Sequence, residues 1–191
     1  MIRLLKKILN KIFRIYFWRF GLVDFDGKKA YNLKPLNITK DFIYAADPFF
    51  IDENNILFEG IKWKTLIGKI YLYNNSKIKE ISFEDKFSDF HMSFPFVYNL
   101  NGSKHIIPQI SNLNSLVSFK LDLKKSKANF QKVLLEGVQC RDTILHNHKD
   151  YHYIFTTVLN SSKEKFFRVY KSKSNNDKYV EIKFHGLKLD S

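Results

Sequence analysis

The first residues of this sequence that could do chemistry are acids placed around one short predicted hairpin. Asp47 opens and Glu59 closes the apolar segments of the stretch 46–60, ADPFFIDENNILFEG, which flank a polar turn. A third acid, Asp142, precedes another apolar segment further along the chain. Paired carboxylates can act as general acid and general base, provided that the fold brings them together.

Each of these acids also has a purely structural role open to it. Asp47 can cap the turn before a strand that begins with proline. Glu59 can pair with a lysine a few residues later, and Asp142 can pair with the arginine before it. The choice depends on the elements that position the acids.

Those elements are predicted to be short β-strands that recur in tandem. When strands are located at each switch from polar to apolar residues, the sequence predicts three units of four strands. Asp47, Phe94 and Asp142 occupy equivalent positions in these units, 47 and then 48 residues apart. Four short strands in about 48 residues is the pattern of a β-propeller blade, whose inner strands converge on one end of a central channel. The predicted strands are 48–51, 56–59, 69–73 and 78–83, then 95–98, 105–110, 116–121 and 130–135, then 143–146, 151–156, 166–171 and 179–184.

The predicted fold is therefore all-β, an incomplete β-propeller of three four-stranded blades with an N-terminal amphipathic helix. The blades cover about 47–90, 91–138 and 139–187, and a lead-in covers 21–46. Closed propellers have about four to eight blades, and by the same period the next inner strand would begin near residue 190. Two explanations stay open: a partner chain completes the ring, or the chain is a fragment of a longer ancestor.

Residues 1–20, MIRLLKKILNKIFRIYFWRF, predict a basic amphipathic helix. Its charges interrupt the apolar span that a transmembrane helix or a signal peptide needs. Two placements stay open: in the interface of an anionic membrane, or packed on the protein itself or on a partner. The first predicts a cytoplasmic protein held at the inner membrane face, and its membrane-binding residues are Arg3, Lys7, Lys11, Arg14 and Trp18.

The composition describes an ordered, aromatic-rich and strongly basic chain of 191 residues with a formal charge of +13. This charge predicts an anionic partner, such as a lipid surface or a phosphorylated substrate. The sequence carries no motif of the common nucleic-acid-binding folds, so we do not predict specific nucleic-acid binding.

Cysteine and histidine usage points away from metal chemistry. The single Cys140 excludes an internal disulfide and a cysteine-ligated zinc site. His146, His148 and His152, with Asp150, invite a metal interpretation, because histidines two apart on a strand share a face. They fall on a predicted turn at the far end of a blade, and we predict neither a metal nor a cofactor.

Six short motifs carry a resemblance to a known family. The chain resembles, over about residues 18 to 160, the N-terminal domain of plant glucosamine inositolphosphorylceramide transferases and their bacterial relatives. That family is similar in fold to the five-bladed propellers of arabinanases, levansucrases and family 43 glycoside hydrolases, and its bacterial members are implied to serve surface-polysaccharide pathways. The motifs are Ala46-Asp47-Pro48-Phe49, Leu57-Phe58-Glu59, Gly68-Lys69-Ile70, His91-Met-Ser-Phe-Pro-Phe96, Ile107-Pro108-Gln109 and Arg141-Asp142-Thr143.

The resemblance implies a carbohydrate site at one end of the propeller. Two carboxyls about 6.5 to 9.5 Å apart would imply inversion of the sugar centre, and about 5.5 Å would imply retention. Gln109 stands where the family has glutamate, and an amide cannot donate the proton that a leaving oxygen needs, although it still binds hydroxyls. The implied site residues are Asp47 as general base with Glu59 and Asp142 for catalysis, and His91, Ser93 and Gln109 for substrate binding. For His91 the alternative is a hydrogen bond that fixes a blade junction.

Three functions follow as hypotheses. The first is a module that binds a glycan or glycolipid in cell-surface polysaccharide or glycolipid biosynthesis, related to transferases. The second is a glycosidase-like or glycosyl transferase enzyme with Asp47 as general base. The third is a truncated, non-catalytic assembly subunit whose open blade edges pair with another chain.

Overall fold

The computed structural model describes residues 18–174, 177–183 and 188–189. The predicted N-terminal helix lies outside these residues, apart from its last three positions. The lead-in forms a hairpin of β1 (Gly21–Phe25) and β2 (Ala30–Pro35). One short helix, α1 (Asp85–Ser88), is described, and no described helix is long and apolar enough to cross a membrane.

The rest of the described chain forms three antiparallel sheets in which strands consecutive in sequence are neighbours. The first sheet holds β3 (Phe42–Phe50), β4 (Asn55–Lys62), β5 (Gly68–Asn74) and β6 (Lys77–Glu80). The second holds β7 (Met92–Leu100), β8 (Ser103–Ile110), β9 (Ser115–Asp122) and β10 (Lys127–Glu136). The third holds β11 (Gln139–His148), β12 (Tyr151–Leu159) and β13 (Lys165–Ser172), with the two-residue strands β14 (Val180–Glu181) and β15 (Lys188–Leu189) both paired to β13. This arrangement confirms the predicted all-β fold of successive propeller-type blades.

The inner strands begin earlier than the sequence pattern predicts. Strand β3 starts at Phe42 rather than at residue 48, so Asp47 lies inside the strand instead of at its beginning. Phe94 and Asp142 lie inside β7 and β11 in the same way. The prediction placed the strand start at the proline or threonine after each of these residues, because Asp47 and Asp142 interrupt apolar runs as residues at a strand end do, and Phe94 was aligned with them.

A backbone irregularity at each of these positions allows the strand to continue. Asp47, Phe94 and Asp142 have φ values of 49°, 44° and 48°, and the register with the neighbouring strand shifts at each one. Positive φ is unfavourable for residues other than glycine, so its recurrence at the predicted spacing is a structural repeat in its own right. The three residues are therefore equivalent in backbone conformation as well as in sequence position.

Apolar side chains join the blades. Leu57 and Ile70 of the first blade pack with Phe119 of the second in one buried cluster. Ile107 of the second blade packs with Ile154 and Tyr170 of the third in another. The opposite face of the first blade is covered by Phe20 and by the lead-in residues Leu22, Leu36 and Ile38.

The third blade has a face that corresponds to the two covered ones. In the first and second blades, Leu57 pairs with Phe49 and Ile107 pairs with Phe96 across the two inner strands. The equivalent pair in the third blade is Phe155 with Ile144. Leu57 and Ile107 are buried, whereas Phe155 is only partly buried and Ile144 is 40% exposed. This face of the third blade thus carries the apolar pattern of a blade junction without the same degree of coverage.

Candidate functional site

Asp47 and Glu59 come together because β3 and β4 pair in register beside the first bulge. Ala46 is opposite Glu59, so the next residue, Asp47, lies beside the glutamate, and the two carboxyls can share a hydrogen bond when one of them is protonated. Glu59 is only 5% exposed, whereas Asp47 is half-buried. The backbone N–H of Phe94 donates to the Asp47 carboxylate across the junction between the first two blades.

His91 holds the other side of Glu59. Its Nδ1 accepts the backbone N–H of Gly68 at 3.0 Å, and its Nε2 lies 3.4 Å from Glu59 Oε1. Because Nδ1 accepts, the tautomer with hydrogen on Nε2 satisfies both contacts, and the ring can donate to Glu59 while neutral. The three groups form a chain in the order Asp47, Glu59, His91.

Gly68 is part of this site although the sequence alone does not mark it as functional. A Cβ at this position would lie 2.7 Å from His91 Cε1 and 2.9 Å from the carbonyl oxygen of Met92. The backbone contact cannot be relieved by a side-chain rotation, so glycine is required for the imidazole to approach the β5 backbone. The only available signal is that Gly68 is one of 7 glycines and opens one of the family-like motifs.

The environment raises the pKa of Asp47 to about 6. Burial is the largest cause, followed by the negative charge of Glu59 and the hydrogen bond to it, and then by the charge of Asp142. The N–H of Phe94 opposes these effects. A carboxyl with this pKa can take up or release a proton near neutral pH, which an ordinary exposed aspartate does poorly.

The second and third blades contribute the remaining predicted residues. Gln109 Oε1 accepts the backbone N–H of Asp142 at 3.2 Å, so this oxygen is already used and the amide nitrogen is the group left to donate. The Asp142 side chain is exposed and is close enough to raise the pKa of Asp47. Ser93 is buried and pairs with Gln109 across β7 and β8, which places it in the wall beneath the site.

The structural alternatives for the acids are partly excluded. Glu59 pairs with His91 rather than with Lys62, whose Nζ lies 4.8 Å from the Tyr71 ring centroid. No ion pair between Asp142 and Arg141 occurs among the described residues. Asp47 lies within a strand, so it does not cap a turn that precedes one.

Trp18 and Tyr44 lie beside the site. The Trp18 carbonyl accepts the backbone N–H of Ala45 at 3.1 Å, and its ring meets the Tyr44 ring edge-on at 6.3 Å. Burial and the charges of Glu59 and Asp47 raise the pKa of the Tyr44 phenol. The sequence assigned Trp18 to a membrane helix, and its position next to the candidate site was not anticipated.

The other reactive side chains sit apart from this cluster. His146 and His148 stack at 6.4 Å, and His152 hydrogen-bonds Asn147 at 2.7 Å. Within the described ranges, no three histidine, cysteine or acidic residues form a group that could hold a metal ion. Burial raises the pKa of the Cys140 thiol to about 11, despite a hydrogen bond to Thr156, so little reactive thiolate forms at neutral pH.

Comparison with solved structures identifies the class of fold. The chain is similar to "Bacteroides ovatus Xyloglucan PUL GH43B", with a TM-score of 0.52 and 13% identity over 74% of this chain and 29% of that one. It is also similar to a xylan β-1,4-xylosidase from Bacillus halodurans C-125, with a TM-score of 0.47 and 13% identity over 72% of this chain and 30% of that one. The chain thus spans less than a third of the length of either protein.

The fold is therefore a propeller of the kind found in family 43 glycoside hydrolases. At 13% identity the likeness shows the fold alone. No family model and no curated protein matches this chain. The propeller part of the sequence resemblance is supported, and the transferase family stays an interpretation of the motifs.

Proposed function

We propose that this chain is a glycosidase-like propeller unit that binds a carbohydrate and uses Asp47 for proton transfer. The observation that carries the proposal is the cluster of Asp47, Glu59 and His91 toward one end of the inner strands, in which His91 Nε2 lies 3.4 Å from Glu59 Oε1 and Glu59 raises the pKa of Asp47. A module that only binds sugar has no need for a carboxyl whose pKa is raised toward neutrality. The fold supports the proposal because a structurally similar protein carries the family 43 glycoside hydrolase designation.

In this proposal the members of the chain have different roles. At pH 7 a carboxyl of pKa about 6 is about nine-tenths ionised, so Asp47 is ready to accept a proton from water or from a sugar hydroxyl. Glu59 is buried beside Asp47 on the neighbouring strand, so it is not placed to act on a sugar as the second catalytic carboxyl. Glu59 therefore adds to the larger effect of burial in raising the proton affinity of Asp47, and His91 positions Glu59.

The second carboxylate of the reaction is assigned to Asp142. It is exposed, belongs to another blade and is electrostatically coupled to Asp47, as expected of two acids that share one substrate. The Gln109 amide nitrogen would donate to a sugar oxygen, since the amide oxygen is held by the Asp142 backbone. Ser93 would support this wall rather than meet the substrate.

A binding module without turnover is the second candidate. One observation favours it: Gln109 is an amide, so the second blade supplies no proton donor at this position. The finer hypothesis, a role in surface-polysaccharide or glycolipid biosynthesis at the inner membrane face, rests on the motif resemblance and on the basic sequence of residues 1–20. A transferase would use the same base to activate a sugar hydroxyl instead of water.

The experiment compares binding and turnover in the same samples. Xylo- and arabino-oligosaccharides are titrated by calorimetry, and the reaction mixtures are analysed for released sugars, using the wild type, Asp47→Asn and Asp47→Ala. We expect Asp47→Asn to retain binding within a few-fold and to lose at least about 100-fold in turnover, the usual range for a lost general base. Binding by the wild type without any turnover would favour the binding module, and equal turnover in all three proteins would refute the role of Asp47.

We also propose that a further sheet covers the exposed face of the third blade, and that a second copy of this chain can supply it. Phe155 and Ile144 continue the pattern of the two buried junctions, and a further blade would bury them as Leu57 and Ile107 are buried. Sedimentation equilibrium of the wild type and of Phe155→Glu tests one form of this, association with a second copy. Association that the substitution abolishes would support it, and a monomer at all concentrations would refute coverage by a second copy.

A further inference from the structure

The turn between β4 and β5 presents apolar side chains to solvent. Trp63 is 47% exposed, Leu66 is 66% exposed, and Ile67 is also exposed. The turn is tight, since the backbone N–H groups of Thr65 and Leu66 both donate to the Lys62 carbonyl, at 3.3 and 3.1 Å. Three large, exposed apolar side chains thus lie within five residues of one surface turn, and groups of exposed apolar residues mark interaction sites.

Leu66 occupies a backbone conformation that does not suit it. Its φ is 56°, in the left-handed region that glycine and asparagine adopt at low cost. The turn therefore carries a large apolar residue, exposed and conformationally unfavourable, where a smaller polar one would be more stable. Such a residue is explained most simply if its side chain is buried by a partner.

The turn lies at the same end of the blades as the candidate site. Lys62 pairs with Phe42 at the start of β3, and the Trp63 N–H donates to the Asp41 carbonyl at 3.1 Å. Ile67 directly precedes Gly68, whose N–H is bonded to His91. The exposed Trp18 lies at this end too, beside Tyr44 of β3.

The charges around the patch favour an anionic partner. Trp63 lines a cavity of about 280 Å³ together with Lys62, Lys64 and Asp41. Two lysines and one aspartate thus line it, and the Lys62 ammonium also lies over the Tyr71 ring, in a chain with a net charge of +13. Tryptophan and aliphatic side chains next to lysines are the combination that inserts into the headgroup region of anionic bilayers, with the apolar groups at the acyl boundary and the ammonium groups on the phosphates.

We propose that Trp63, Leu66 and Ile67, with Trp18 beside them, dock this end of the propeller onto the surface of an anionic lipid bilayer. The contact extends the one predicted for residues 1–20, with which it shares Trp18, and it orients the blades with the candidate site toward the membrane. It follows, resting on the proposed function, that the sugar acted on is attached to a lipid. The docking itself does not depend on catalysis and is tested without substrate.

Tryptophan fluorescence tests the proposal because the chain has only 2 tryptophans. In the full-length Trp18→Phe variant all tryptophan emission comes from Trp63. With vesicles of phosphatidylcholine and phosphatidylglycerol we expect a blue shift, and brominated phosphatidylcholine in the same vesicles should quench the emission. Leu66→Asn should weaken vesicle partitioning by about tenfold, since one buried leucine side chain is lost from the contact.

A matched control is available at the other end of the same blade. Phe50 is 61% exposed and lies at the far end of β3, so Phe50→Asn removes a similar exposed apolar side chain from a surface that should face away from lipid. Its partitioning should equal that of the wild type. The proposal is overturned if the protein sediments with vesicles while Trp63 emission stays unchanged, if Leu66→Asn and Phe50→Asn behave alike, or if the protein does not bind the vesicles at all. Equal insertion into pure phosphatidylcholine would overturn the charge requirement.

Discussion

The substitution Asp47→Asn should make the stability of the protein less dependent on pH. The folded-state pKa of Asp47 is raised from 3.8 to about 6, so the folded protein binds this proton more tightly than the unfolded chain does. Stability contributed by the protonated carboxyl is present below about pH 4 and is lost as the pH rises through 6. Asparagine stays neutral throughout and also tolerates the positive φ of this position.

The size of the effect follows from the shift. A change of about two pKa units corresponds to about 3 kcal/mol at about 1.4 kcal/mol per unit. Asp47 is half-buried, so solvent screening reduces this to about 1 to 1.5 kcal/mol. The difference in free energy of unfolding between Asp47→Asn and the wild type should therefore increase, in favour of the variant, by about that amount between pH 3.5 and pH 8.

Urea unfolding followed by far-ultraviolet circular dichroism at several pH values between 3.5 and 8 measures this difference. Asp26→Asn is the control of opposite sign, because the N–H groups of Lys29 and Lys28 lower the pKa of Asp26 and that stabilisation is lost in acid. A variant-minus-wild-type difference for Asp47 that is constant with pH, or that decreases toward pH 8, would refute the buried, proton-sharing arrangement.

Three further predictions concern neighbouring features. Gly68→Ala should destabilise the fold by about 1 to 3 kcal/mol and displace the His91 ring, visible as altered imidazole NMR shifts, because its Cβ would lie 2.7 Å from that ring; unchanged shifts would contradict the contact. Thr156→Val should lower the free energy of unfolding by about 1 to 3 kcal/mol, since it leaves the buried Thr143 hydroxyl without its 2.7 Å partner. Thr156→Ser keeps a hydroxyl at this position and should retain most of the wild-type stability. Leu66→Asn should raise the free energy of unfolding by about 1 kcal/mol by relieving the positive φ, and a loss of stability would show that Leu66 packs within the protein.

The repeat was predictable because it depends on local patterns. Alternating polar and apolar residues indicate strands, and the spacing of Asp47, Phe94 and Asp142 indicates blades, without knowledge of any long-range contact. The structure adds that these three residues share a positive φ inside the strand. A bulge is not encoded by any one residue type, so the strand starts were misplaced by several residues.

The choice of candidate residues was predictable, but their mutual geometry was not. Sequence reasoning selected Asp47, Glu59 and His91, yet it treated the two acids as separate catalytic groups and left Gly68 out. Whether the Gln109 amide oxygen is already used, and whether two acids lie side by side, depends on ångström-scale register between neighbouring strands.

By itself the sequence determined the all-β class, the three blade units, the basic character of the chain and the identity of the acids that face one end of the blades. Only the tertiary structure decided that Glu59 is buried between Asp47 and His91, that the Asp47 pKa rises, and that Leu66 is held exposed beside the site. The physical reason is that strand periodicity is a local property of the chain. Burial and proton affinity are set by neighbours that only folding brings within a few ångströms.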